Sequence, residues 1–389
     1  MGISVGLVGL GGFGSEFADL FRSHPAVDRV ALCDMEPDRV ARFAEKESWR
    51  GKFDPSDAYN SLDEICKSDL DALVIITQPT LHAPQAIQAM ESGKHVYSAV
   101  PIISLPDGDE ILDWCDRLVK TCERTGMRYM LGETTYYVPQ AMYCRRRAAE
   151  GAFGRFVHAE GQYLHDVDEP ACNLREVRKW RRSSKAGREI TKMLARYEGV
   201  ISGPMHYPTH SVSGPISVMG ARMTQVCAWG QEDETGDDYF KGALTNEIAL
   251  FRMSNGATAR IAECRKIAHT GEVTFCVLGT MGSFRPNYWM IRGQRTDLTI
   301  EDMRDPLPQA VQEAYREELG SAHFYGGHGG SHAYLVHEFC DAIANDREPA
   351  INVWEAVRYM AAGVMAHKSA LAGGEVLDVP DWGDPPADR

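Results

Sequence analysis

The chain has 389 residues, of which 44% are hydrophobic and 25% charged, and its formal net charge is −14 at pH 7. This length favours two domains over one core. The acidic balance argues against a nucleic-acid or anionic-membrane partner, because both need a basic face.

No long apolar run is present and the N-terminus enters a strand directly, so we expect neither a membrane span nor a signal peptide. The ten cysteines are scattered singly, which is typical of reduced thiols in the cytoplasm.

The first predicted element is an apolar strand that leads into a glycine-rich turn and a helix. Its glycines have the G-x-G-x-x-G spacing, in which they allow a tight turn, let a pyrophosphate approach the backbone and let the helix pack on the strand. The helix N-terminus offers unsatisfied N–H groups to phosphate. The residues assigned to this dinucleotide site are Gly9, Gly11, Gly12, Phe13 and Gly14. The alternative is an ordinary Gly-rich turn.

A second apolar run, residues 29–33, ends at Asp34, where an acid that binds ribose belongs. A carboxylate there accepts hydrogen bonds from both ribose hydroxyls of NAD and repels a 2′-phosphate. NAD is therefore favoured over NADP, although Arg39 and Arg42 lie close enough in sequence to keep NADP open.

Strand and helix patterns then alternate through the first third of the chain. Strands are predicted over residues 70–77, 95–99 and 128–132, and helices over 82–92 and 107–125. This order predicts a doubly wound parallel α/β sheet of the Rossmann type, with a domain boundary at residue 135.

The pattern changes over residues 136–389. After a helix over 139–150, consecutive strands are predicted over 155–164, 223–231, 243–253, 257–267 and 272–280. Short turns between strands predict an α+β domain with a large, open, mainly antiparallel sheet. Residues 169–203 are expected to be irregular, and two final helices, 333–344 and 353–372, could pack back on the first domain.

Three further motifs accompany the glycine pattern in a recognisable order. They are Thr77-Gln-Pro-Thr-Leu-His82, Gly93-Lys-His-Val96 and Gly154-Arg-Phe-Val157. With them the chain resembles the Gfo/Idh/MocA family of sugar oxidoreductases. The resemblance implies a carbohydrate substrate and an open sheet face that often makes a dimer contact, so we expect a homo-oligomer, either a dimer or a tetramer. The residues it places beside the cofactor are Thr77, Gln78, His82, Ala99, Val100 and Pro101.

The chain departs from that family at the position of its usual catalytic lysine. Ala99-Val-Pro101 stands where the family has Glu-Lys-Pro, so the lysine position is Val100. Alcohol oxidation needs a group that takes the hydroxyl proton as the hydride leaves, and valine cannot do so. Either the protein is inactive or another base has taken over.

A narrower branch of the family, the NAD-dependent glycosidases, resembles the chain more closely and also lacks the lysine. The shared segments are Met130-Leu-Gly-Glu133, Gly161-Gln-Tyr-Leu-His-Asp166, Lys179-Trp-Arg181, Tyr207-Pro-Thr-His210 and Gly327-His-Gly-Gly330. The branch has glycine where this chain has Ser211. The resemblance implies transient oxidation of a sugar, elimination of the aglycone, addition of water and re-reduction. This route requires several proton-transfer groups around one ring rather than two carboxylates at a fixed spacing.

The candidate catalytic residues are His210, Tyr207, Glu133, His165 and His328. His210 is the main expected proton-transfer group, presented with Tyr207 by an extended turn because Pro208 disfavours a helical Tyr207. The alternative is that His210 caps a helix beginning near Ser211. Glu133 follows a predicted parallel strand, and such strand ends line the cofactor crevice.

The candidate substrate-binding residues are Asp166, Arg178, Trp180, Arg181 and His206. The basic run over residues 175–185 is either a solvated face or an electropositive wall for an anionic sugar such as a sulfoquinovoside. Trp180 stacks on a sugar or sits in the core. His323, His328, His332 and His337 lack compact ligand spacing, so no metal site is expected. The remaining functional alternatives are a sugar or polyol dehydrogenase that releases NADH and a nucleotide-binding sensor or scaffold.

Overall fold

The computed structural model describes residues 2–241, 243–320 and 324–387. Its first sheet contains six parallel strands, β1 (Ile3–Val8), β2 (Val27–Cys33), β3 (Ala58–Tyr59), β4 (Ala72–Ile75), β5 (His95–Ser98) and β6 (Tyr129–Leu131). The helices along this part of the chain are α1 (Gly12–Ser23), α2 (Pro37–Ala44), α3 (Leu62–Ile65), α4 (His82–Glu91) and α5 (Gly108–Thr125). The strand order is β3-β2-β1-β4-β5-β6, so the chain adds strands on one side of β1 up to β3 and on the other side from β4 onward. In such sheets the ligand crevice lies at this switch point, at the carboxyl ends of β1 and β4.

The second part of the chain is built around a nine-stranded sheet. Its strands are β7 (Phe156–Leu164), β8 (Met223–Glu232), β9 (Leu244–Met253), β10 (Thr258–Cys264), β11 (Glu272–Gly279), β12 (Ser283–Arg285), β13 (Tyr288–Ile291), β14 (Gln294–Asp297) and β15 (Leu377–Asp378). Their order is β14-β13-β12-β11-β7-β10-β9-β8-β15, and among these pairs only β7 and β10 run parallel within the described residues. The predicted fold class is confirmed by both sheets.

The helices of the second part are α6 (Pro139–Ala149), α7 (Leu174–Ser183), α8 (Lys185–Leu194), α9 (Thr209–Met219), α10 (Ile300–Met303), α11 (Gln309–Leu319), α12 (Ser331–Ala344) and α13 (Val353–Leu371). Strand β7 packs directly on α9: a Cβ added to Gly161 would lie 1.9 Å from the carbonyl oxygen of Ser211. No side chain fits between them, so the first turn of α9 is pressed against the sheet.

The expectation of an irregular segment over residues 169–203 was wrong, because α7 and α8 occupy most of it. Each helix begins at a residue whose side chain accepts a backbone N–H: Asn173 from Glu176 and Ser184 from Gly187. Both helices carry apolar residues at helical spacing, Leu174, Val177 and Trp180 in α7 and Ile190, Met193 and Leu194 in α8, but few of their residues are buried and the basic residues around them suggested an irregular segment.

The last two helices return to the first sheet. Phe339 of α12 contacts the rings of Phe21 and Tyr97, and Lys368 of α13 donates to Asp109 of α5. The boundary near residue 135 remains a prediction, which the gap between β6 and β7 supports. None of the helices within the described residues is long and apolar enough to cross a lipid bilayer.

Candidate active site

The glycine-rich loop joins β1 to α1 as its spacing predicts. Gly9 has a positive φ of 93°, and a Cβ there would lie 2.3 Å from the carbonyl oxygen of Ile76. A Cβ on Gly14 would lie 2.0 Å from the carbonyl oxygen of Gly9, whereas one on Gly12 would meet no described atom within 4 Å. The loop is therefore tight on its inner side and open at the start of α1, where backbone N–H groups can receive a pyrophosphate.

Asp34 is buried at the end of β2 and held in place by backbone. One carboxylate oxygen accepts from the N–H of Leu10 at 2.8 Å, and the other accepts from Glu36 at 2.9 Å. Arg39 lies 3.4 Å from Asp34 and 2.9 Å from Glu36, so its charge already faces two carboxylates rather than a 2′-phosphate. These residues fit the adenosine ribose of NAD.

The other predicted cofactor neighbours follow β4 and β5. His82 is buried, and its Nδ1 lies 2.8 Å from the carbonyl oxygen of Pro101. The hydroxyl of Thr77 donates to Gln85 at 2.5 Å, and Gln78 follows it, half-buried, at the same edge. Ala99 and Val100 are buried there, and the carbonyl oxygen of Val100 accepts from the hydroxyl of Tyr207 at 3.3 Å. The valine thus contributes backbone, not a titrating group.

Glu133 and His210 form the centre of the proton-transfer cluster. Glu133 follows β6 with no solvent exposure, and its Oε1 accepts from His210 Nδ1 at 2.8 Å and from the N–H of Thr135 at 2.8 Å. Because a carboxylate only accepts, Nδ1 carries the proton and Nε2 is the basic nitrogen. Burial opposes charge on His210, but Glu133 outweighs it and raises the pKa of the imidazole. Burial also opposes charge on Glu133, and His210 lowers the pKa of that carboxyl.

A tyrosine and a second histidine stand on the other side of His210. The ring of Tyr163 lies 5.2 Å from the ring of His210, and its hydroxyl is 2.7 Å from His165 Nδ1. His165 Nε2 lies 2.9 Å from the carbonyl oxygen of Cys172 and must donate to it, so Nδ1 accepts the tyrosine proton. Burial lowers the pKa of His165 and raises that of Tyr163 to about 12.

His328 reaches the cluster from the loop before α12. Its Nδ1 lies 2.8 Å from Nε2 of His332, whose Nδ1 accepts from the N–H of Gly327 at 3.2 Å. Since Nδ1 of His332 accepts, its Nε2 carries the proton and donates to Nδ1 of His328, so the proton of His328 is on Nε2. Phe13 packs edge-on against both histidine rings, so it supports this loop rather than the phosphates. Burial lowers the pKa of His332 to about 3 and lowers that of His328, with His210 contributing.

The five predicted substrate-binding residues lie in different surroundings and do not form one site. Arg181 is exposed on α7; burial raises the pKa of Tyr207 and lowers the pKa of His82, and the positive charge of Arg181 acts to lower both. Arg178 instead lies 3.5 Å from the ring centroid of Tyr239 and donates to its carbonyl oxygen. Trp180 is 55% exposed beside Glu36 and Lys185, at the adenosine end of the crevice, so it is not a core residue.

Two predicted substrate contacts do not join the cluster. His206 is buried between α5 and α13, where Nδ1 lies 3.0 Å from the carbonyl oxygen of Leu105 and the ring packs on His367. Asp166 accepts from the N–H groups of Asp168 and Ile267, so its carboxylate shapes the turn after β7. Both side chains therefore interact with nearby backbone groups rather than with the proton-transfer cluster.

Three residues near the cluster were missed in the sequence. Tyr163 lies within a quoted motif but was not assigned, because strand alternation alone does not show which face meets α9. Glu263 and Arg265 belong to no motif. Charged residues two positions apart in a predicted strand usually share a solvent-exposed face, yet both of these side chains are buried. Among the described residues no group of histidine, cysteine and acidic side chains could hold a metal ion, and His323 lies outside those residues.

The fold and the crevice define an NAD-dependent enzyme with a Rossmann nucleotide-binding sheet. Residues 3–133 match the model of the Gfo/Idh/MocA family, which is described as an oxidoreductase family with an NAD-binding Rossmann fold. The predicted family, cofactor and enzymatic character are confirmed.

The relatives include two proteins named glycosyl hydrolase family 109 protein. One, from Streptomyces filamentosus, is 26% identical over 98% of this chain and 77% of its own length. The other, from Solibacter usitatus, is 24% identical over 98% of this chain and 88% of its own length.

Solved structures share the fold at lower identity. A levoglucosan dehydrogenase in complex with NADH has a TM-score of 0.70 at 18% identity, covering 98% of this chain and 100% of that chain. An aldose-aldose oxidoreductase from Caulobacter crescentus has a TM-score of 0.71 at 15% identity, covering 97% and 100%. At these identities the likeness concerns the fold alone.

The Glu133–His210 pair predicts a pH-dependent contribution to stability. Glu133 loses its charge as the pH falls through its lowered pKa, and His210 loses its charge as the pH rises through its raised pKa. The pair therefore contributes fully between the ordinary values of 4.5 and 6.5. Glu133→Gln should lower the free energy of unfolding by roughly 3 kcal/mol at about pH 6, and by less at about pH 9.

Urea denaturation at the two pH values measures this difference. The double variant Glu133→Gln with His210→Gln is the control: neither titrating group remains, so its own free energy of unfolding should lack the pH dependence that this pair gives the wild-type protein. An equal loss for the single variant at both pH values would contradict the assignment.

Proposed function

We propose that the protein is an NAD-dependent glycoside hydrolase that works by transient oxidation of the sugar. The observation that carries this proposal is the placement of His210, Tyr163, His165 and His328 in one crevice where the family's lysine position holds Val100. The names of the relatives support the same reaction class. Several separate proton-transfer groups suit a sequence of oxidation, elimination, addition and reduction better than a single dehydrogenation.

The oxidation step requires a base at the reacting hydroxyl, typically that of C3. NAD, which the glycine-rich loop and Asp34 would hold, would supply the hydride acceptor for this step and the hydride donor for the final reduction. Nε2 of His210 takes the hydroxyl proton, and Glu133 stabilises the resulting imidazolium through Nδ1. Tyr207, whose ring lies 5.6 Å from that of His210, borders the same side of the crevice.

The elimination step requires removal of the proton on C2, which the neighbouring ketone acidifies. We assign this proton to the Tyr163 oxygen, whose own proton passes to Nδ1 of His165. The electron pair of the C2–H bond forms the C1–C2 double bond, and the aglycone leaves C1 with the glycosidic electron pair. The Nε2 proton of His328 is available to the leaving oxygen. Addition of water to C1 reverses these proton movements.

The decisive experiment is a panel of nitrophenyl glycosides with the NAD-loaded protein. Release of nitrophenol without accumulation of NADH, together with deuterium at C2 of the product formed in heavy water, is expected. His210→Ala should reduce turnover at least about 100-fold, the size of a lost general base, while NAD still binds. His269→Gln, an exposed histidine, is the matched control.

Stoichiometric NADH formation with free sugars and no release of aglycone would instead identify a dehydrogenase. Unchanged turnover in His210→Ala would remove this residue from the mechanism.

The substrate is further proposed to carry an anionic group, such as the sulfonate of a sulfoquinovoside. Arg175 pairs with Asp237 and Arg178 donates to Tyr239, whereas Arg181 is exposed and its charge acts on Tyr207. A guanidinium there can bind a sulfonate, carboxylate or phosphate with two hydrogen bonds.

Arg181→Gln should raise KM for an anionic glycoside about tenfold or more, the cost of one lost charged hydrogen bond, and leave kcat nearly unchanged. Arg182→Gln, an exposed neighbour on the same helix, should leave KM unchanged. An equal KM effect on neutral and anionic glycosides would contradict the anionic substrate.

The open face of the nine-stranded sheet is proposed to pair with a second copy of the chain. It carries Trp229, Ile248 and Leu250 at 57%, 45% and 48% exposure, and a contiguous apolar area of this kind marks a contact surface. Adjacent strands place Trp229 opposite Ile248, so they form one patch.

Ile248→Lys should convert the dimer or tetramer to a monomer, because a lysine would lose hydration inside the contact. Sedimentation velocity measures the change. Leu371→Lys, at the exposed end of α13, is the control and should leave the assembly intact. A monomeric wild-type protein would refute the pairing.

A further inference from the structure

A buried network of three polar side chains lies beneath the proton-transfer cluster. Glu263 of β10 has no solvent exposure. Its Oε1 accepts a short hydrogen bond from the hydroxyl of Ser211, and its Oε2 accepts from Nη2 of Arg265 at 2.5 Å. A carboxylate without solvent is costly, so it is expected to be fully paired, as it is here.

One end of this network fixes the element that carries His210. Ser211 follows His210 in the first turn of α9, and its hydroxyl lies within hydrogen-bond distance of Glu263 and of the carbonyl oxygen of Pro208. The close contact between Gly161 and Ser211 presses the same turn onto β7. Neither α9 nor β7 can shift without breaking these contacts.

The other end supports Tyr163. The guanidinium of Arg265 lies 4.2 Å from the centroid of the Tyr163 ring, and its Nη1 donates to the carbonyl oxygens of Tyr163 at 3.0 Å and Cys264 at 3.2 Å. The arginine thus holds both the ring and the backbone of Tyr163. Glu263 therefore contacts both Ser211, on the helix that carries His210, and Arg265, which packs on Tyr163.

We propose that the Glu263–Arg265 pair, together with Ser211, is a positioning device that fixes His210 relative to Tyr163 and balances the charge beneath both. The inference deepens the proposed function and rests on it only for the roles of His210 and Tyr163. A buried ion pair gives little net stability over apolar residues of similar volume. Its placement between two proton-transfer groups supplies a reason for its presence.

The charge environment of His210 makes this device measurable. The titratable or charged groups that face His210 are Glu133, Tyr163, His165, Tyr207, Glu263, Arg265 and His328. Burial raises the pKa of Glu263 to about 7, against the opposing effects of Arg265 and Ser211. The charge of Glu263 raises the pKa of His210, and the charge of His210 lowers the pKa of Glu263.

The test is an NMR titration of ¹³Cε1-labelled histidines in the NAD-loaded protein without substrate. The resonance of His210 is assigned by its absence from His210→Gln. In Glu263→Gln the positive charge of Arg265 is left uncompensated, so the pKa of His210 should fall by roughly one unit, a tenfold loss of proton affinity.

Two further variants separate positioning from a general structural effect. Glu160→Gln removes a carboxylate paired with Arg260 across the same two strands but on the opposite face, and it should leave the His210 titration unchanged. Glu263→Gln with Arg265→Gln removes both charges and should return the pKa of His210 toward the wild-type value.

If Glu263→Gln does not fold, Ser211→Ala keeps the ion pair and removes only the hydroxyl. Glu263 should then take up a proton more readily, and the pKa of His210 should fall by a smaller amount in the same direction. An unchanged titration in the variant that folds, or an equal shift in Glu160→Gln, overturns the proposal. Because no substrate is present, a failed glycosidase assay with the expected shifts refutes the proposed function and leaves this inference standing.

Discussion

A carboxylate without access to water, that of Glu133, is the constraint on which the site depends. It follows the last strand of the parallel sheet, and one of its oxygens accepts from His210 at the start of a helix that packs on the other sheet. A buried carboxylate needs such a donor, and the imidazole needs the carboxylate to carry a charge. This contact therefore links the end of the parallel sheet to the helix on the other sheet and defines which nitrogen of His210 is basic.

The remaining groups are arranged around that contact by close packing. The absence of a side chain at Gly161 lets β7 approach α9, which brings Tyr163 beside His210. Successive hydrogen bonds then determine the proton positions, from Cys172 through His165 to Tyr163 and from Gly327 through His332 to His328. The crevice thus holds a basic histidine, a hydroxyl with a proton acceptor and a protonated ring nitrogen, each with its orientation set by the fold.

The parts of the fold that the sequence predicted well have short-range causes. The glycine spacing and the acid after β2 are local requirements of the phosphate turn and the ribose, and the continuous apolar runs identify buried parallel strands. Residues 174–194 were predicted incorrectly because their many basic residues outweighed two local helix signals, the caps at Asn173 and Ser184 and the helical spacing of a few apolar residues. His206 and His210 look equivalent in sequence, but one faces α5 and α13 and the other faces Glu133.

The sequence by itself determined the class of the first sheet and its nucleotide site, because both depend on residue types at fixed local spacing, and the resemblance to a family identified the lack of a titrating group at Val100. Only the tertiary structure decided which polar residues act together. Glu133, Tyr163, His210, Glu263 and His328 come from five separate segments, and hydrogen bonds across such distances in sequence leave no local pattern. Burial then turned ordinary side chains into coupled acids and bases, since only a dry, packed interior makes their charges depend strongly on one another.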